Sequence, residues 1–310
     1  MNVNHLFEDG KPYFSLNNYY HQLFGEKVYK LAIDGGFTCP NRDGTCGNRG
    51  CIFCSGLGSG DFTSGRQLSI TAQIESEKSR IAQKYSGNKY VAYFQSFTNT
   101  YAPPSILKKR YDEALSHPDI AALSIATRPD CLSPDVVKLL RECADQKPVF
   151  VELGLQTIHA STAAFIRRGY ELPIFDEAVS LLQENDIPVI VHVILGLPGE
   201  HKADMLRTIA YLNQIGINGV KLQLLHILKG TDLAVYYHKS PFPLLTMEEY
   251  IDTVVCCIER LSPDIVIHRI TGDGPRNQLI APLWSLRKRD VLNKIHQEFR
   301  IRNTWQGKEI

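Results

Sequence analysis

The chain lacks any hydrophobic run of the roughly 18 to 20 residues that a membrane-spanning helix needs. Even the apolar stretch over residues 187–198 is interrupted by His192 and ends in a turn sequence. The opening residues include His5, Glu8 and Asp9, which is not the basic-then-apolar order of a signal peptide. We therefore expect a cytoplasmic protein that has no membrane partner.

An excess of charge of either sign is also missing. Lys and Arg number 34 against 33 Asp and Glu, so the whole molecule has no strong field that would steer a polyanion. Any surface that binds nucleic acid has to be a local patch. Repeats, low-complexity tracts and long linkers are absent between residues 30 and 270, and 44% of the side chains are hydrophobic. This composition predicts an ordered globular chain, built as one α/β barrel or as two small domains.

Cysteines are too few for a disulfide scaffold, since the 310 residues contain only eight. Half of the eight fall between positions 39 and 54, which is typical of a metal site. The remaining four are scattered along the chain, and we interpret them as small buried apolar side chains.

Short runs rich in β-branched and aromatic residues alternate with stretches of helical spacing. The predicted strands cover residues 30–34, 90–95, 121–126, 149–155, 188–195 and 219–225. The predicted helices cover residues 71–85, 104–116, 133–145, 174–185 and 201–215. This alternation predicts a parallel sheet with crossover helices, either a partial barrel or an open doubly wound sheet. In both architectures ligands bind at the carboxyl ends of the strands.

The segment CPNRDGTCGNRGCIFCSG places Cys39, Cys46, Cys51 and Cys54 in a glycine-rich loop directly after the first predicted strand. Zinc takes four ligands, and these four thiols would supply all of them. A [4Fe-4S] cluster held by three cysteines instead leaves one iron open for a further ligand. The spacing indicates a metal but leaves both choices open.

The run LAIDGGFTCPNRDG and the following GCIFCSG resemble the signature of the YtqA/YhcC-like branch of the radical S-adenosylmethionine (SAM) superfamily, which is related to the radical-SAM half of the Elongator catalytic subunit. Further similar motifs lie at or just after predicted strand ends. They are YFQSFTNTYAP (93–103), ATRPDCL (126–132), VELGLQT (151–157), FIRRG (165–169) and LGLPGE (195–200). The resemblance covers nearly the whole chain.

The resemblance implies an α/β fold, a partial (β/α)6 TIM-like barrel over residues 30–228. Residues 1–29 would be an N-terminal extension, and residues 229–310 a C-terminal extension that packs on the barrel and contributes to substrate binding. It also implies that Cys39, Cys51 and Cys54 hold the catalytic [4Fe-4S] cluster. Cys46 is then an extra thiol, which we interpret as a bystander, with a fourth ligand as the alternative.

In such enzymes SAM chelates the open iron, and one electron from a donor such as a flavodoxin or ferredoxin cleaves it to methionine and a 5′-deoxyadenosyl radical. The resemblance further implies that Phe53 lies near the adenine, with packing of the loop as the alternative. Gln95, Ser96, Thr98 and Asn99 would meet the methionyl end of SAM, with a hydrogen-bonded turn as the alternative for each.

Elongator-like relatives would carry Glu in place of Ala126, so its polar role is expected to pass to Thr127, Arg128 or Glu152. Glu152 lies in an otherwise apolar strand. A buried carboxylate has to be paired or hydrogen-bonded, and we expect a cofactor or Arg128 to be its partner.

Four further SAM contacts follow from the resemblance. Gln156 and Arg168 would meet the ribose and the carboxylate, because a guanidinium suits a carboxylate. His192 would meet the adenosine hydroxyls, and the turn that begins at Gly196 would bring backbone close to the adenine. The alternatives are a solvated helix end for Arg168 and a hydrogen-bonded core residue for His192.

The Elongator relationship implies that the substrate is wobble uridine in tRNA, whose C5 substituent, for example carboxymethylaminomethyl, would be remodelled. Radical chemistry on a small metabolite or porphyrin is the second hypothesis, and a zinc-stabilised RNA-binding module without catalysis is the third. Candidate substrate contacts are Lys221, Gln223, Asp273 and Arg276.

Two surfaces are candidates for RNA. The basic segment 284–305 would hold a phosphate backbone, or would be an ordinary solvated helix. It carries Arg287, Lys288, Arg289, Lys294, Arg300 and Arg302. The aromatic residues Tyr13, Phe14, Tyr19 and Tyr20 would stack a base, or would close the bottom of the barrel.

Overall fold

Seven parallel strands form one sheet, in which they lie side by side in the order of the chain. The computed structural model describes residues 6–310 except residues 59, 62, 84, 86 and 273. The strands of this sheet are β1 (Tyr29–Ile33), β2 (Tyr90–Phe94), β3 (Ile120–Thr127), β4 (Val149–Gln156), β5 (Val189–Leu195), β6 (Gly219–Leu224) and β8 (Val266–Arg269). Two short strands, β7 (Ile227–Leu228) and β9 (Leu279–Ala281), pair antiparallel outside it.

Helices follow most of the strands as crossovers. They are α1 (Leu16–Phe24), α2 (Ile70–Ile81), α3 (Pro104–Leu115), α4 (Pro134–Ala144), α5 (Ala160–Phe165), α6 (Leu172–Gln183), α7 (Lys202–Ile215), α8 (Asp232–Lys239), α9 (Met247–Glu259) and α10 (Lys288–Arg302). None of the described helices is long and apolar enough to cross a membrane.

Local signals in the sequence explain several of these boundaries. The Ser133 side chain caps the first turn of α4, and Pro134 occupies the first helical position, where a missing amide hydrogen costs nothing. Gly216 ends α7 with a φ of 68°, a left-handed conformation that favours glycine. Helix α2 ends four residues before its predicted end at residue 85. The hydroxyl of Tyr85 instead donates to the Lys27 carbonyl at 2.6 Å, in the connection to β2.

The six predicted strands are present, each within one residue of both predicted ends. The sequence analysis missed β8, which lies inside the predicted C-terminal extension and adds the seventh strand to the sheet. This strand is short, and two of its four residues, His268 and Arg269, are polar. Alternating apolar residues therefore give too little signal for a strand there.

The sheet curls into a partial barrel. In a flat sheet β1 and β4 would be three strand spacings apart, about 14 Å. The Nζ of Lys30 on β1 nevertheless lies 2.6 Å from Oε1 of Glu152 on β4. Among the described residues β1 pairs only with β2, and β8 pairs with β6 and with the single residue Ser15. The barrel is therefore open between its first and last strands, as a radical-SAM partial barrel is expected to be.

The N-terminal aromatic residues close the bottom of this barrel. Tyr19 and Tyr20 on α1 pack against Phe150 near the start of β4, each with ring centroids 6.2 Å apart. Phe14 packs edge-on against Tyr19, and the hydroxyl of Tyr13 lies 3.0 Å from Nε2 of His296. Tyr13 and Tyr20 are buried and Phe14 and Tyr19 are half-buried, which favours the alternative interpretation, and base stacking stays a prediction.

Candidate active site

The cysteine loop lies at the carboxyl ends of the strands, beside an inner cavity of about 180 Å³. Cys39, Cys51 and Cys54 line this cavity, whereas Cys46 is exposed and does not. The guanidinium of Arg42 donates to the carbonyl of Cys54 at 3.1 Å and fixes the end of the loop. The structure thus separates the three expected cluster ligands from the fourth cysteine.

The thiols do not converge on the position of a single metal ion. In a tetrahedral zinc site with Zn–S bonds of about 2.3 Å, thiolates stand about 3.8 Å apart. Among the described residues, no three cysteine thiols come within 4.8 Å of one another. A cluster of several iron atoms spans a wider gap than a single zinc ion. The donor set therefore fits a [4Fe-4S] cluster.

The Cys51 side chain needs a nearby positive charge to be stable as a thiolate. Burial and the neighbouring Cys54 thiol raise the pKa of Cys51 to about 12, against the opposing charge of Arg128. The side-chain amide of Asn41 donates to the Cys51 sulfur at 3.5 Å and to the Arg167 carbonyl at 2.6 Å. Asn41 therefore orients the thiol, a role that sequence reasoning missed.

Most of the predicted SAM contacts line the inner cavity. They are Phe53, Gln95, Thr98, Thr127, Arg128, Glu152, Gln156, Arg168 and His192. They come from the cysteine loop, from strands β3, β4 and β5 and from the segments that follow β2, β3 and β4. Gln156 has a φ of 68°, which strains a residue with a side chain and marks the end of β4.

Three predicted contacts do not line the cavity. The amide of Asn99 donates to the carbonyls of Phe94 and Ala126 at 3.0 and 2.9 Å, so it ties β2 to β3. Ser96 is fully buried and does not face the cavity. Gly196 has a φ of 85°, and a Cβ there would come within 3.1 Å of Leu245, away from the cavity. The structure therefore gives no support to SAM contacts by these three residues.

Arg128 is not the partner of Glu152. Its guanidinium makes a bidentate pair with Asp130, with N–O distances of 2.9 and 2.6 Å. A third nitrogen donates to the Arg168 carbonyl at 2.7 Å. Arg128 thus closes the turn after β3, while one face of its guanidinium lies over the Tyr170 ring at 5.4 Å.

Arg168 is buried, not the solvated helix end of the alternative interpretation. One terminal nitrogen donates to the carbonyls of Leu155 and Thr157 at 3.1 and 2.7 Å. Its two other nitrogens donate to the carbonyl of Tyr170, whose ring lies 4.3 Å from the guanidinium. A contact with the SAM carboxylate would have to replace one of these bonds, and it stays a prediction.

Glu152 is the centre of a buried charge network on the inner face of the sheet. Its Oε1 accepts from Lys30 Nζ and from Ser124 Oγ, both at 2.6 Å. Its Oε2 accepts from His192 Nε2 at 2.6 Å and from Lys221 Nζ. Burial alone would raise the pKa of Glu152, but the charges of Lys221 and Lys30 hold it well below its usual value. The carboxylate is therefore ionised and fully hydrogen-bonded.

His192 is neutral in this network. Burial and the charge of Lys221 lower its pKa to about 4, in spite of the Glu152 hydrogen bond. Its Nε2–H donates to Glu152, and its Nδ1 accepts from the Gln223 amide at 3.3 Å. These two bonds select one tautomer. The predicted contact with the adenosine hydroxyls stays a prediction.

Sequence reasoning missed Lys30, Ser124, Tyr93 and Arg269. The Lys221 Nζ donates to the Tyr93 hydroxyl at 3.1 Å, and the Tyr93 ring lies 4.9 and 4.4 Å from the Lys30 and Lys221 ammonium groups. Lys30 is a charged residue inside an otherwise apolar strand, whereas Arg269 ends a strand that is half polar; for Lys30 a signal was therefore present. That is the same signal that drew attention to Glu152.

A side groove of about 1070 Å³ extends from the inner cavity to the open edge between β1 and β8. Its described lining carries one carboxylate, Asp61. The cations on the same lining are Lys27, Lys30, Arg80, Lys221, Arg269, Arg276 and Lys288. Of the predicted substrate contacts, Lys221 and Gln223 line both the groove and the inner cavity, and Arg276 lines the groove. Asp273 lies outside the described residues.

Carboxylates neutralise two of the cations in the predicted basic segment 284–305. Lys294 pairs with Glu248 at 3.1 Å, and Arg302 pairs with Asp252 at 2.8 Å and with Glu298 at 2.8 Å. These pairs take two of the six cations away from a phosphate backbone. Lys288 lines the side groove.

Sequence comparison identifies two family regions. The Radical SAM superfamily profile matches residues 44–212, and the Radical SAM C-terminal domain profile matches residues 217–300. YtqA of Bacillus subtilis (strain 168) is 43% identical over 298 residues, which cover 96% of this chain and 92% of YtqA. Protein YhcC of Escherichia coli (strain K12) is 37% identical over 262 residues, which cover 84% of each chain.

Two further relatives are more distant. The tRNA uridine(34) acetyltransferase of Methanocaldococcus jannaschii is 26% identical over 176 residues, which cover 56% of this chain and 32% of that protein. The solved structure of the archaeal Methanocaldococcus infernus Elp3, with an N-terminal deletion, has a TM-score of 0.68 at 15% identity. It covers 90% of this chain, which spans 64% of that structure, and the likeness shows the shared fold.

The partial barrel, the three cavity-facing cysteines and the family matches agree with one another. The chain belongs to the radical SAM superfamily, in the YtqA/YhcC-like branch related to Elongator, and is a SAM-dependent radical enzyme with a [4Fe-4S] cluster.

Proposed function

We propose that this enzyme modifies the C5 substituent of wobble uridine in tRNA. The observation that carries the proposal is the basic side groove, which leads from the open edge of the barrel to the inner cavity. The chain has almost no net charge but concentrates cations around one groove. This distribution of charge suits the binding of a polyanion. The name of the related tRNA uridine(34) acetyltransferase supports the choice of uridine.

In this proposal Cys39, Cys51 and Cys54 hold the cluster, and the residues that line the inner cavity hold SAM. When bound, these two groups supply the one-electron chemistry that removes a hydrogen atom from the substrate. The protein residues position the substrate and exclude water from the reacting centre. The Glu152 network keeps the inner face ordered without offering an unpaired carboxylate. A reducing partner such as a flavodoxin or ferredoxin supplies the electron.

The size of the groove favours a macromolecular substrate. Pockets for small molecules commonly have volumes of about 300 to 1000 Å³, and a groove of about 1070 Å³ reaches that upper limit and continues to the surface. A base flipped out of a loop would enter through the open edge, while its phosphates stay near the outer cations Lys27, Arg276 and Lys288.

The proposal is tested on tRNA from cells with and without the gene, by mass spectrometry of the wobble nucleoside. We expect one C5-substituted uridine to be lost, and to return when reconstituted enzyme, SAM and reductant are added anaerobically. Arg276→Glu should weaken tRNA binding about tenfold or more, because it reverses a charge in the groove. Lys109→Glu, on the exposed outer face of α3, is the matched control.

Unchanged wobble uridines in the deletion strain would overturn the proposal. If SAM cleavage were then stimulated by a small metabolite instead of tRNA, the second hypothesis would replace it. Equal effects of Arg276→Glu and Lys109→Glu on tRNA binding would contradict the role of the groove.

A further inference from the structure

The guanidinium of Arg269 has no hydrogen-bond acceptor and no carboxylate partner among the residues that the structure describes. It is half-buried on the last strand of the sheet and lines both the inner cavity and the side groove. A half-buried charge without a partner is costly, and such groups normally have a counter-ion. The neighbouring carboxylate, Glu152, is already occupied on both oxygens.

Strand register places a second cation beside it. Lys221 on β6 pairs with Arg269 on β8, and His192 on β5 pairs with Lys221. Neighbouring strands are about 4.8 Å apart, so Lys221 and Arg269 are adjacent on the inner face. Burial and the charges of Lys30 and Arg269 lower the pKa of Lys221 to about 7, in spite of its pairing with Glu152. The site therefore has more positive than negative charge.

A bulge in the sheet creates this arrangement. Val220 pairs with Ile267 and the next residue, Lys221, pairs with Arg269, so His268 has no register partner. Without the shift, Lys221 would stand opposite His268. Bulges near active sites redirect a side chain, and this one turns the guanidinium toward the cavity.

The structure assigns to Arg269 and Lys221 an anion site that binds a carboxylate on the C5 substituent of the substrate, an identity of the substrate that rests on the proposed function. The planar guanidinium fork matches the two oxygens of a carboxylate, and the Lys221 ammonium adds a second charge. The site lies where the groove meets the inner cavity, which is where a base substituent must come to be near SAM.

Two other anions fit this position less well. The SAM carboxylate belongs near the cluster, where the charge of Arg128, and not that of Arg269, acts on the Cys51 thiol. The charge of Arg269 acts instead on Tyr93, His192 and Lys221. A tRNA phosphate runs along the surface, whereas Lys221 is only 4% exposed.

The test measures binding of three nucleoside probes to the SAM-bound holoenzyme by anaerobic calorimetry. They are 5-carboxymethylaminomethyluridine, its carboxamide and uridine 5′-monophosphate. We expect the wild type to bind the carboxylate about 10 to 100 times more tightly than the carboxamide, the value of a charge-assisted bidentate pair. Arg269→Gln should abolish this preference. Arg141→Gln, the same substitution on the exposed face of α4, should leave it intact.

Arg269→Lys keeps the charge but loses the fork, so its preference should fall between those of the other two proteins. If Arg269→Gln does not fold, Arg269→Lys is the variant that is compared with the wild type. An unchanged preference in both variants, or no preference in the wild type at millimolar concentrations, would overturn the anion site. Tight binding of the monophosphate that Arg269→Gln abolishes, without a carboxylate preference, would make it a phosphate site and also overturn the assignment.

The outcome is separable from that of the proposed function. A carboxylate preference without any change in cellular tRNA would keep the anion site and reject the wobble uridine. Modified tRNA without a carboxylate preference would keep the wobble uridine and reject the anion site.

Discussion

Lys30 on the first strand and Glu152 on the fourth form an ion pair of 2.6 Å inside the barrel. The two residues are 122 positions apart in the sequence, and only the curl of the sheet brings them together. The same carboxylate also binds Lys221 on the sixth strand, so one buried group links both sides of the barrel interior. Because of these ion pairs, Glu152 contributes to the stability of the fold and also lines the inner cavity.

Glu152→Gln should therefore destabilise the fold strongly. The substitution keeps the shape of the side chain but leaves the ammonium groups of Lys30 and Lys221 without a counter-ion. We expect a loss of about 3 to 5 kcal/mol in the free energy of unfolding, measured by urea denaturation of the cluster-free protein. Glu177→Gln, at an exposed position of α6, is the control. A loss of less than about 1 kcal/mol would mean that the network contributes little.

The free energy of unfolding should fall as the pH falls from 6.5 to about 4. In this window the unfolded chain protonates His192 at its ordinary pKa of 6.5, whereas in the folded protein the pKa is about 4. The unfolded state then binds the extra proton, and stability decreases by up to about 3 kcal/mol. Below its ordinary pKa of 4.5, Glu152 adds a loss of the same sign.

The check is urea denaturation of the cluster-free protein at pH 7 and pH 4.5, with the His192→Gln variant in parallel. The variant should show a smaller decrease than the wild type. Equal decreases in the two proteins would show that other groups cause the acid sensitivity.

Cys51→Ala should abolish cluster binding, whereas Cys46→Ala should retain it. Cys51 lines the inner cavity and Cys46 is exposed to solvent. After anaerobic reconstitution with iron and sulfide, the iron content and the visible absorption report the cluster, and 5′-deoxyadenosine formed from SAM and dithionite reports the reaction. Loss of both signals in Cys46→Ala would make Cys46 a fourth ligand. Stoichiometric zinc with no deoxyadenosine would support a structural zinc site.

Arg168→Lys should lower the free energy of unfolding by about 2 kcal/mol or more, because buried carbonyls lose charge-assisted donors. Arg168 donates to the carbonyls of Leu155, Thr157 and Tyr170, and an ammonium cannot reach all three. Arg141→Lys on α4 is the exposed control. If Arg168 instead served mainly as a SAM contact, stability would stay unchanged and only the KM for SAM would rise.

The cofactor loop and the six core strands were predictable because their signals are local. The spacing of Cys39, Cys51 and Cys54 and the apolar runs can be identified without knowing the fold, and the motif resemblance added the cofactors. The excess of cations in the groove was not predictable. Its residues come from the amino end of β1, from α2, β6 and β8, from the segment between β8 and β9 and from the start of α10, and no stretch of sequence contains them together.

The partners of the charged residues were also beyond the sequence. Arg128 was a candidate partner for Glu152, yet it pairs with Asp130 two residues away, and Glu152 is neutralised from strands on both sides. Ion pairing depends on distances of a few ångströms between side chains, and the order of residues along the chain does not give these distances.

The sequence by itself therefore determined the superfamily and the alternation of strands and helices, and it predicted the three cluster cysteines, since each of these signals is local. Only the tertiary structure decided that the barrel is open between β1 and β8, that the N-terminal aromatic rings close its bottom, and that Arg269 stands beside Lys221. The physical reason is that strand curl, a register shift and burial act between residues that are distant in the chain.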